Sequence, residues 1–220
     1  MPAACLVCAA RASAANLCDG CRTELPYLSH EQCPSCGVPT LGSQRCGACL
    51  AHPPAFDAVV VPCAYAFPLD RLIQRFKYTG SLPVAPLLAD LMAEPIAQRP
   101  RPDMMIPMPL SSERLRERGF NQSLELARLL SKRTGVPLAP DACIRVRHGA
   151  AQSALPWSER RANIRGAFGC TADLRGCTVA VIDDVLTSGA TLDEIARTLK
   201  HRGATTVIGW VAARTLASHS

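Results

Sequence analysis

The sequence predicts an α/β fold: a mainly parallel sheet flanked by helices, preceded by a small segment held together by metal. Three observations carry that expectation. Beyond residue 55, short apolar strands alternate with amphipathic helices, the pattern of βαβ units whose crossovers cover both faces of a sheet. The run Thr178–Ile182 is apolar without alternation, as a strand buried on both faces requires. Eight of the twelve cysteines fall in the first 49 residues, always as C-x-x-C.

The cysteine pairs are Cys5/Cys8, Cys18/Cys21, Cys33/Cys36 and Cys46/Cys49. Their spacing writes C-x2-C-x9-C-x2-C twice, with eleven residues between the copies. Two thiolates on one tight turn present a single face to a metal, and two such turns complete a tetrahedral S4 set for Zn²⁺. Cys36-Gly37 and Cys46-Gly47 look like such turns, with glycine easing the chain around the ion. A disulfide framework would need an oxidising compartment, and a redox C-x-x-C normally comes as one pair. The expectation is therefore two closed, structural zinc sites. The repeat favours joining the first pair to the second and the third to the fourth; a cross-braced arrangement is the alternative. A segment of about 50 residues with few large apolar side chains needs the free energy of metal binding to fold. Cys63, Cys143, Cys170 and Cys177 are scattered and read as small buried apolar residues.

His52-Pro53-Pro54 marks a stiff linker, dividing the chain into units 1–52 and 55–220. Phe56 to Phe67 is β-branched and aromatic enough for a strand or hairpin. Leu69, Leu72, Ile73 and Phe76 form a helical stripe that ends near Lys77-Tyr78-Thr79-Gly80. Val84 to Gln98 reads as a second helix, broken or kinked at Pro95. Met104-Met105-Ile106 is a short strand stopped by Pro107 and Pro109. Asn121 to Arg133 is a helix with Leu124, Ala127 and Leu130 facing inward, closed by Gly135 and Pro137. Residues 142–146 suit a strand, and 147–165 a long polar loop with a short helix. A helix over Thr191–Arg202 and a strand over Thr205–Ala212 complete the alternation.

The formal charge of +6 is not spread evenly. Residues 101–165 hold twelve basic side chains against six acidic ones, and every other stretch balances. Such a segment suits a polyanion, either a phosphorylated small molecule or nucleic acid; the plain alternative is a solvated helical face. The longest uncharged apolar run, Ala58 to Leu69, is twelve residues with two prolines, too short and broken to span a membrane. The N-terminal MPAACLVCAAR has no basic start, and Arg11 cuts short its apolar stretch, so no secretory signal is expected.

The most informative stretch is Val179-Ala-Val-Ile-Asp-Asp-Val-Leu-Thr-Ser-Gly-Ala-Thr191. A buried strand ends in Asp183 and Asp184, and the loop Thr187, Ser188, Gly189, Ala190, Thr191 opens a helix. Ligands of open α/β sheets bind at the carboxyl ends of strands. Gly189 lets backbone N–H groups approach a phosphate, the hydroxyls add donors, and the helix N-terminus adds partial positive charge. Thr191 and Glu194 fit a capping box that would fix the helix start. Two carboxylates can accept hydrogen bonds from a vicinal diol. Phosphate cradle and diol clamp together describe a ribose 5-phosphate. Neither the G-x-G-x-x-G of dinucleotide folds nor a P-loop is present.

On these residues the chain resembles the type I phosphoribosyltransferases, whose phosphoribosyl-pyrophosphate (PRPP) signature Val179–Thr191 closely matches. Ile106-Pro-Met-Pro109, Arg114, Arg118-Gly-Phe-Asn-Gln122, Gln152-Ser-Ala-Leu155 and Arg160-Arg-Ala-Asn163 are similar to the ComF competence-protein family. The four C-x-x-C pairs resemble the double zinc ribbon that precedes the domain in many members. Ser188 stands where threonine is common but keeps the hydroxyl, and Gly149-Ala150-Ala151 is softer than the usual Thr-x-Pro. The resemblance implies a type I phosphoribosyltransferase-like domain in which Asp183 and Asp184 hold the ribose hydroxyls and Thr187–Thr191 the 5′-phosphate. It implies a pyrophosphate loop at Pro109 and Leu110 with Arg114 and Arg118 nearby. Residues 147–165 would form a hood bringing Gln152 and Arg160 or Arg161 over bound PRPP. Mg²⁺ would accompany the pyrophosphate. It also implies a cytoplasmic protein associated with uptake of single-stranded DNA and its machinery, with no membrane insertion. A metabolic phosphoribosyltransferase with a zinc appendage is the other reading, and no residue names its acceptor.

Overall fold

In a computed structural model, residues 4–12, 16–146 and 164–216 are described. The cysteine segment holds two short helices, α1 (Asp19–Thr23) and α2 (Gly47–Ala51). The two copies of the sequence repeat fold alike. Cys5 N–H donates to the Ala10 carbonyl (2.7 Å) as Cys33 N–H donates to Val38 (2.7 Å), closing a tight turn around the first pair of each copy. The residue after that pair is left-handed in both, Ala9 at φ 62° and Gly37 at φ 74°. The second pair of each copy instead begins on a helix N-terminus, at Cys18 and Cys46. Gly47 is therefore the first residue of α2 and makes no glycine turn, unlike Gly37.

That difference is measurable. A Cβ on Gly37 would lie 2.6 Å from Val61 Cγ1, besides being strained by its φ. Gly37→Ala is expected to cost about 1–3 kcal/mol, whereas Ala9→Gly relieves a left-handed alanine and gains about 0.5–1 kcal/mol. Urea unfolding of the zinc-loaded variants checks both signs.

After the linker come β1 (Ala58–Val60), β2 (Cys63–Ala64), α3 (Leu69–Thr79), α4 (Val84–Ala97) and β3 (Met104–Pro107). They are followed by α5 (Ser112–Arg118), α6 (Gln122–Thr134), β4 (Cys143–Arg145), β5 (Phe168–Cys170), β6 (Thr178–Leu186), α7 (Ala190–His201) and β7 (Thr206–Arg214). The main sheet runs β1–β7–β6–β3, with β2 also on β7, and its pairings are parallel. Phe56–Phe67 is thus one outer strand interrupted at Val61-Pro62, not a hairpin. β4 and β5 make a separate antiparallel pair.

Period-two alternation sends Ala180, Ile182, Trp210 and Ala212 to one face, where α3, α4 and α6 bury their stripes. Val179, Val181, Val207 and Val211 face the other side, under α7 and the β4–β5 pair. All four residues of the expected α3 stripe are buried, and Gly80 at φ 61° ends the helix. α4 runs through Pro95 to Ala97, so the proline does not end it. α6 starts where Asn121 Oδ1 accepts from the N–H of Ser123 (3.0 Å) and Leu124 (3.4 Å).

Two expectations from the sequence are corrected. α7 begins with Gly189 as its N-cap, so Thr191 is inside the helix and forms no capping box; Glu194 instead accepts from Gly166 N–H (2.6 Å). β6 does not end at the carboxylates but continues to Leu186. β3 stops pairing at Pro107↔Ile182, while β7 stays with β6 out to Leu186↔Arg214. Asp183 to Leu186 therefore have a strand on one side only, which opens the space the site occupies.

The cysteine segment shares the main core. Leu17 and Leu25 are buried with residues of α3 and α4. Backbone bonds Leu28 N→Pro62 O (2.9 Å) and Ala64 N→Pro26 O (2.8 Å) tie it to the outer strand.

Candidate functional site

The thiols gather into two sets, Cys5/Cys8/Cys18/Cys21 and Cys33/Cys36/Cys46/Cys49, with the sulfurs of each set within 4.8 Å of one another. That is the sequential arrangement, not the cross-braced one. All-sulfur sets of four suit tetrahedral Zn²⁺ with no position left for a substrate, so these two zinc sites are structural. Backbone N–H groups donate to the sulfurs, Cys46 N–H to Cys33 Sγ (3.3 Å) and Cys21 N–H to Cys18 Sγ (3.5 Å), which steadies thiolate charge. Of the four scattered cysteines, Cys63 and Cys143 are buried, and burial pushes both thiols up to about 12, out of the reactive range. Cys170 and Cys177 are partly exposed.

At the carboxyl end of β6, Asp183 Oδ1 accepts from Ser123 Oγ of α6 (3.0 Å) and from Asp184 N–H (2.9 Å). Burial, and then the neighbouring Asp184 carboxylate, raise Asp183 from the usual carboxylate range to about 7, although Lys77 pulls the other way. Asp184 pairs with Lys77 Nζ at 2.9 Å, both largely buried. Lys77 is in the last turn of α3, and its carbonyl accepts from Gln122 Nε2 (3.5 Å). The turn after β3 lies alongside. Met108 N–H donates to Ile182 O (2.9 Å), and Asn121 Nδ2 donates to Met108 O (3.1 Å). In that turn Pro109 is buried and Leu110 half-buried.

The loop between β6 and α7 turns at Gly189, whose φ of 81° suits glycine. Ser188 Oγ accepts from Ala190 N–H (3.4 Å), and Ala190 and Thr191 form the first turn of α7. Behind the loop, buried Arg214 donates to four carbonyls: Cys36 (3.0 Å), Leu186 (2.9 Å), Thr215 (2.9 Å) and Thr187. A cavity of about 890 Å³ lies between the loop and the second zinc set, walled by Val38, Pro39, Phe56, Leu186 and Leu216.

Asp183, Asp184, the 187–191 loop and the Pro109–Leu110 turn thus meet at one end of the sheet. Arg114 is exposed on α5 and Arg118 half-exposed at its end, where its guanidinium sits 5.4 Å above the Tyr78 ring. Gln152, Arg160 and Arg161 lie outside the described residues, as does nearly all of the expected hood. Sequence reasoning missed Lys77, Ser123 and Arg214 as parts of this site. Lys77 and Ser123 sit in helices with no local signal. Arg214 had one: a charged residue closing the apolar strand Trp210-Val-Ala-Ala.

Comparison with known proteins agrees with both halves. Residues 1–50 match the double zinc ribbon domain and residues 121–218 the phosphoribosyl transferase domain. The chain is 37% identical over 191 residues to DNA utilization protein YhgH of Salmonella typhi, covering 84% of each chain. It is 34% identical over 212 residues to Competence protein F of Haemophilus influenzae, covering 90% of each. The allosteric regulatory enzyme of purine biosynthesis overlaps with a TM-score of 0.39 at 20% identity, over 58% of this chain and 26% of that one, so the chain spans about a quarter of that enzyme. Among the described residues, no helix is long and apolar enough to cross a membrane. With a double zinc ribbon, a phosphoribosyl transferase domain on a parallel sheet, and relatives matched along most of their length, the chain belongs to the ComF competence-protein family.

Proposed function

We propose that the protein binds PRPP, as Mg²⁺–PRPP, at the carboxyl ends of β6 and β3, and serves the handling of single-stranded DNA during uptake in the cytoplasm. The observation that carries the PRPP reading is the juxtaposition of the Asp183/Asp184 pair with a glycine-turned loop that starts α7. The loop and helix start supply N–H donors and positive potential to a 5′-phosphate, and the carboxylates accept from ribose hydroxyls. Carboxylate oxygens are also hard donors that suit Mg²⁺, which would neutralise charge on the departing pyrophosphate. Ser123 holds Asp183, and Lys77 pairs with Asp184 and orients it. Gln152, Arg160 and Arg161 would close over the pyrophosphate, with Pro109, Leu110, Arg114 and Arg118 beneath it. In this reading residues 1–52 are a zinc-bound support and 55–220 the phosphoribosyltransferase-like unit.

The DNA reading draws on the relatives' names and on charge. Arg114 stands close enough to Arg145 to lower its pKa, after the effect of burial. Like charges gathered this way favour an anion between or over them. Arg118 stacked on the exposed Tyr78 offers a ring and a cation on one surface, suited to a nucleobase and its phosphate. The second reading, a metabolic phosphoribosyltransferase, is favoured by the 890 Å³ cavity beside the loop, where an acceptor has room.

A pyrophosphate-release screen on the zinc-loaded protein, with Mg²⁺–PRPP and with or without single-stranded DNA, tests the proposal. Calorimetric binding of Mg²⁺–PRPP without release supports a binding role, and release with a base or amine supports the metabolic reading. No PRPP binding removes both. Oligonucleotide affinity should fall steeply with salt, by a logarithmic slope of about 0.7 per phosphate neutralised, and Arg118→Ala should lower it; no binding at low salt sinks the direct DNA contact.

A further inference from the structure

Arg214 is a buried arginine whose acceptors, among the described residues, are all main-chain carbonyls. They belong to three segments that the chain brings together from far apart. Cys36 is a ligand of the second zinc set, Leu186 and Thr187 lead into the loop at the start of α7, and Thr215 follows β7. We infer that Arg214 is a positioning residue that makes the second zinc site part of the loop's architecture, setting the loop's N–H groups for a phosphate that neither zinc nor Arg214 needs to touch. The inference rests on the PRPP reading only for the identity of the ligand.

The peptide plane provides the link. In a trans peptide the N–H of one residue points opposite to the C=O of the residue before it. Holding the carbonyls of Leu186 and Thr187 on the guanidinium therefore aims the N–H groups of Thr187 and Ser188 away from it. Those are the N–H groups that precede the Gly189 turn. Leu186 O is also taken by Thr215 N–H (3.0 Å), so its plane is fixed from two sides. Thr187 is exposed and its carbonyl accepts from Arg214 Nη1, so that plane depends on the guanidinium.

The other end of the fork needs a firm anchor. A guanidinium has rigid geometry, so fixing Nε on Cys36 O fixes where Nη1 lies. Cys36 is held by its place in the sulfur set and by Gly37, which packs against Val61. Zinc would stiffen that turn, since four metal–sulfur bonds replace the weak hydrogen bonds that otherwise order the thiols, such as Cys46 N–H to Cys33 Sγ. The first zinc set packs elsewhere, toward α3, through Arg75 Nη1 to Leu6 O (3.1 Å). The coupling is thus specific to the second set. A buried positive charge behind the loop also favours an anion in front of it.

The test compares Arg214→Met and Arg214→Lys with the parent protein, each checked for two zinc ions per chain. Hydrogen exchange of amides in 187–189 is read without ligand, and binding of ribose 5-phosphate and of Mg²⁺–pyrophosphate is read by calorimetry. In Arg214→Met, loop exchange should speed by about tenfold or more and ribose 5-phosphate affinity should fall similarly, with pyrophosphate affinity changed less than about twofold. Arg214→Lys, which keeps charge but not the fork, should show the same exchange; it decides the matter if the Met variant does not fold. Cys46→Ala/Cys49→Ala, opening the second set, should speed loop exchange, and Cys5→Ala/Cys8→Ala should not. Unchanged loop exchange in the Arg214 variants, or equal loss of both ligands, overturns the inference. If the parent binds no ribose 5-phosphate, the PRPP reading fails while the exchange results still decide the coupling.

Discussion

Asp183→Asn is expected to make the ligand-free protein more stable at pH 8 while lowering its affinity for Mg²⁺–PRPP by about 100-fold or more. Asp183 is raised to about 7, chiefly by burial and next by Asp184. In the unfolded chain the same carboxyl loses its proton near 4. Between those values the folded state binds more protons than the unfolded one, so this group lowers stability as pH rises from about 4 to about 7. The amide removes that cost and keeps an Oδ1 to accept from Ser123 and from Asp184 N–H. The gain should be absent at pH 4, grow through pH 6 and level above pH 7, at roughly 1–3 kcal/mol. Urea midpoints at three pH values check the stability, and calorimetry checks the binding. A variant no more stable than the parent at pH 8 would show that Asp183 is not held under strain. Such opposition between stability and binding is what a preorganised site produces.

Removing both zinc ions is expected to unfold more than the ribbon. Structural zinc contributes about 10–16 kcal/mol per site in small peptides, as much as the whole net stability of an ordinary domain. Here the metal-bound segment supplies Leu17 and Leu25 to the same core as Phe76, Leu88 and Trp210. A strong chelator should therefore lower the melting temperature of the α/β body by roughly 10 °C or more, beyond losing the ribbon itself. Far-UV circular dichroism during chelation, with the melting curve of the remaining structure, provides the check. An unchanged melting temperature would mean that the two parts are stabilised independently.

The fold was legible where periodicity was strong. The α3 stripe, the capped helix after Asn121 and the apolar run of β6 were readable because burial on one face, or both, imposes a pattern on the residues themselves. α5 was not readable, since Ser112–Arg118 contains one apolar residue and buries none; it is held by the Ser111 cap and Gly119. β5 was hidden because its partner, β4, is a non-local antiparallel neighbour, and Phe168-Gly-Cys170 is too short to alternate. The site was legible as a local string, Asp183 to Thr191, because a strand, a turn and a helix start must succeed one another in sequence. Its supports were not. Lys77 is more than a hundred positions from Asp184, and Ser123 sixty from Asp183; those contacts exist only through the packing of α3 and α6 on the sheet.

The outer strand suggests why a metal-bound segment should sit where it does. β1 and β2 are short, broken by Val61-Pro62, and their outward main-chain groups are taken by the ribbon: Pro62 O by Leu28 N–H, Ala64 N–H by Pro26 O, Val61 O by Gln32 Nε2. Tyr27 even bridges Cys63 as an antiparallel neighbour would. An uncovered strand invites another chain to pair with it, so the ribbon acts as a guard against self-association. Metal starvation would then expose a ready template for intermolecular pairing, and the cell would meet zinc loss in this protein first as insolubility.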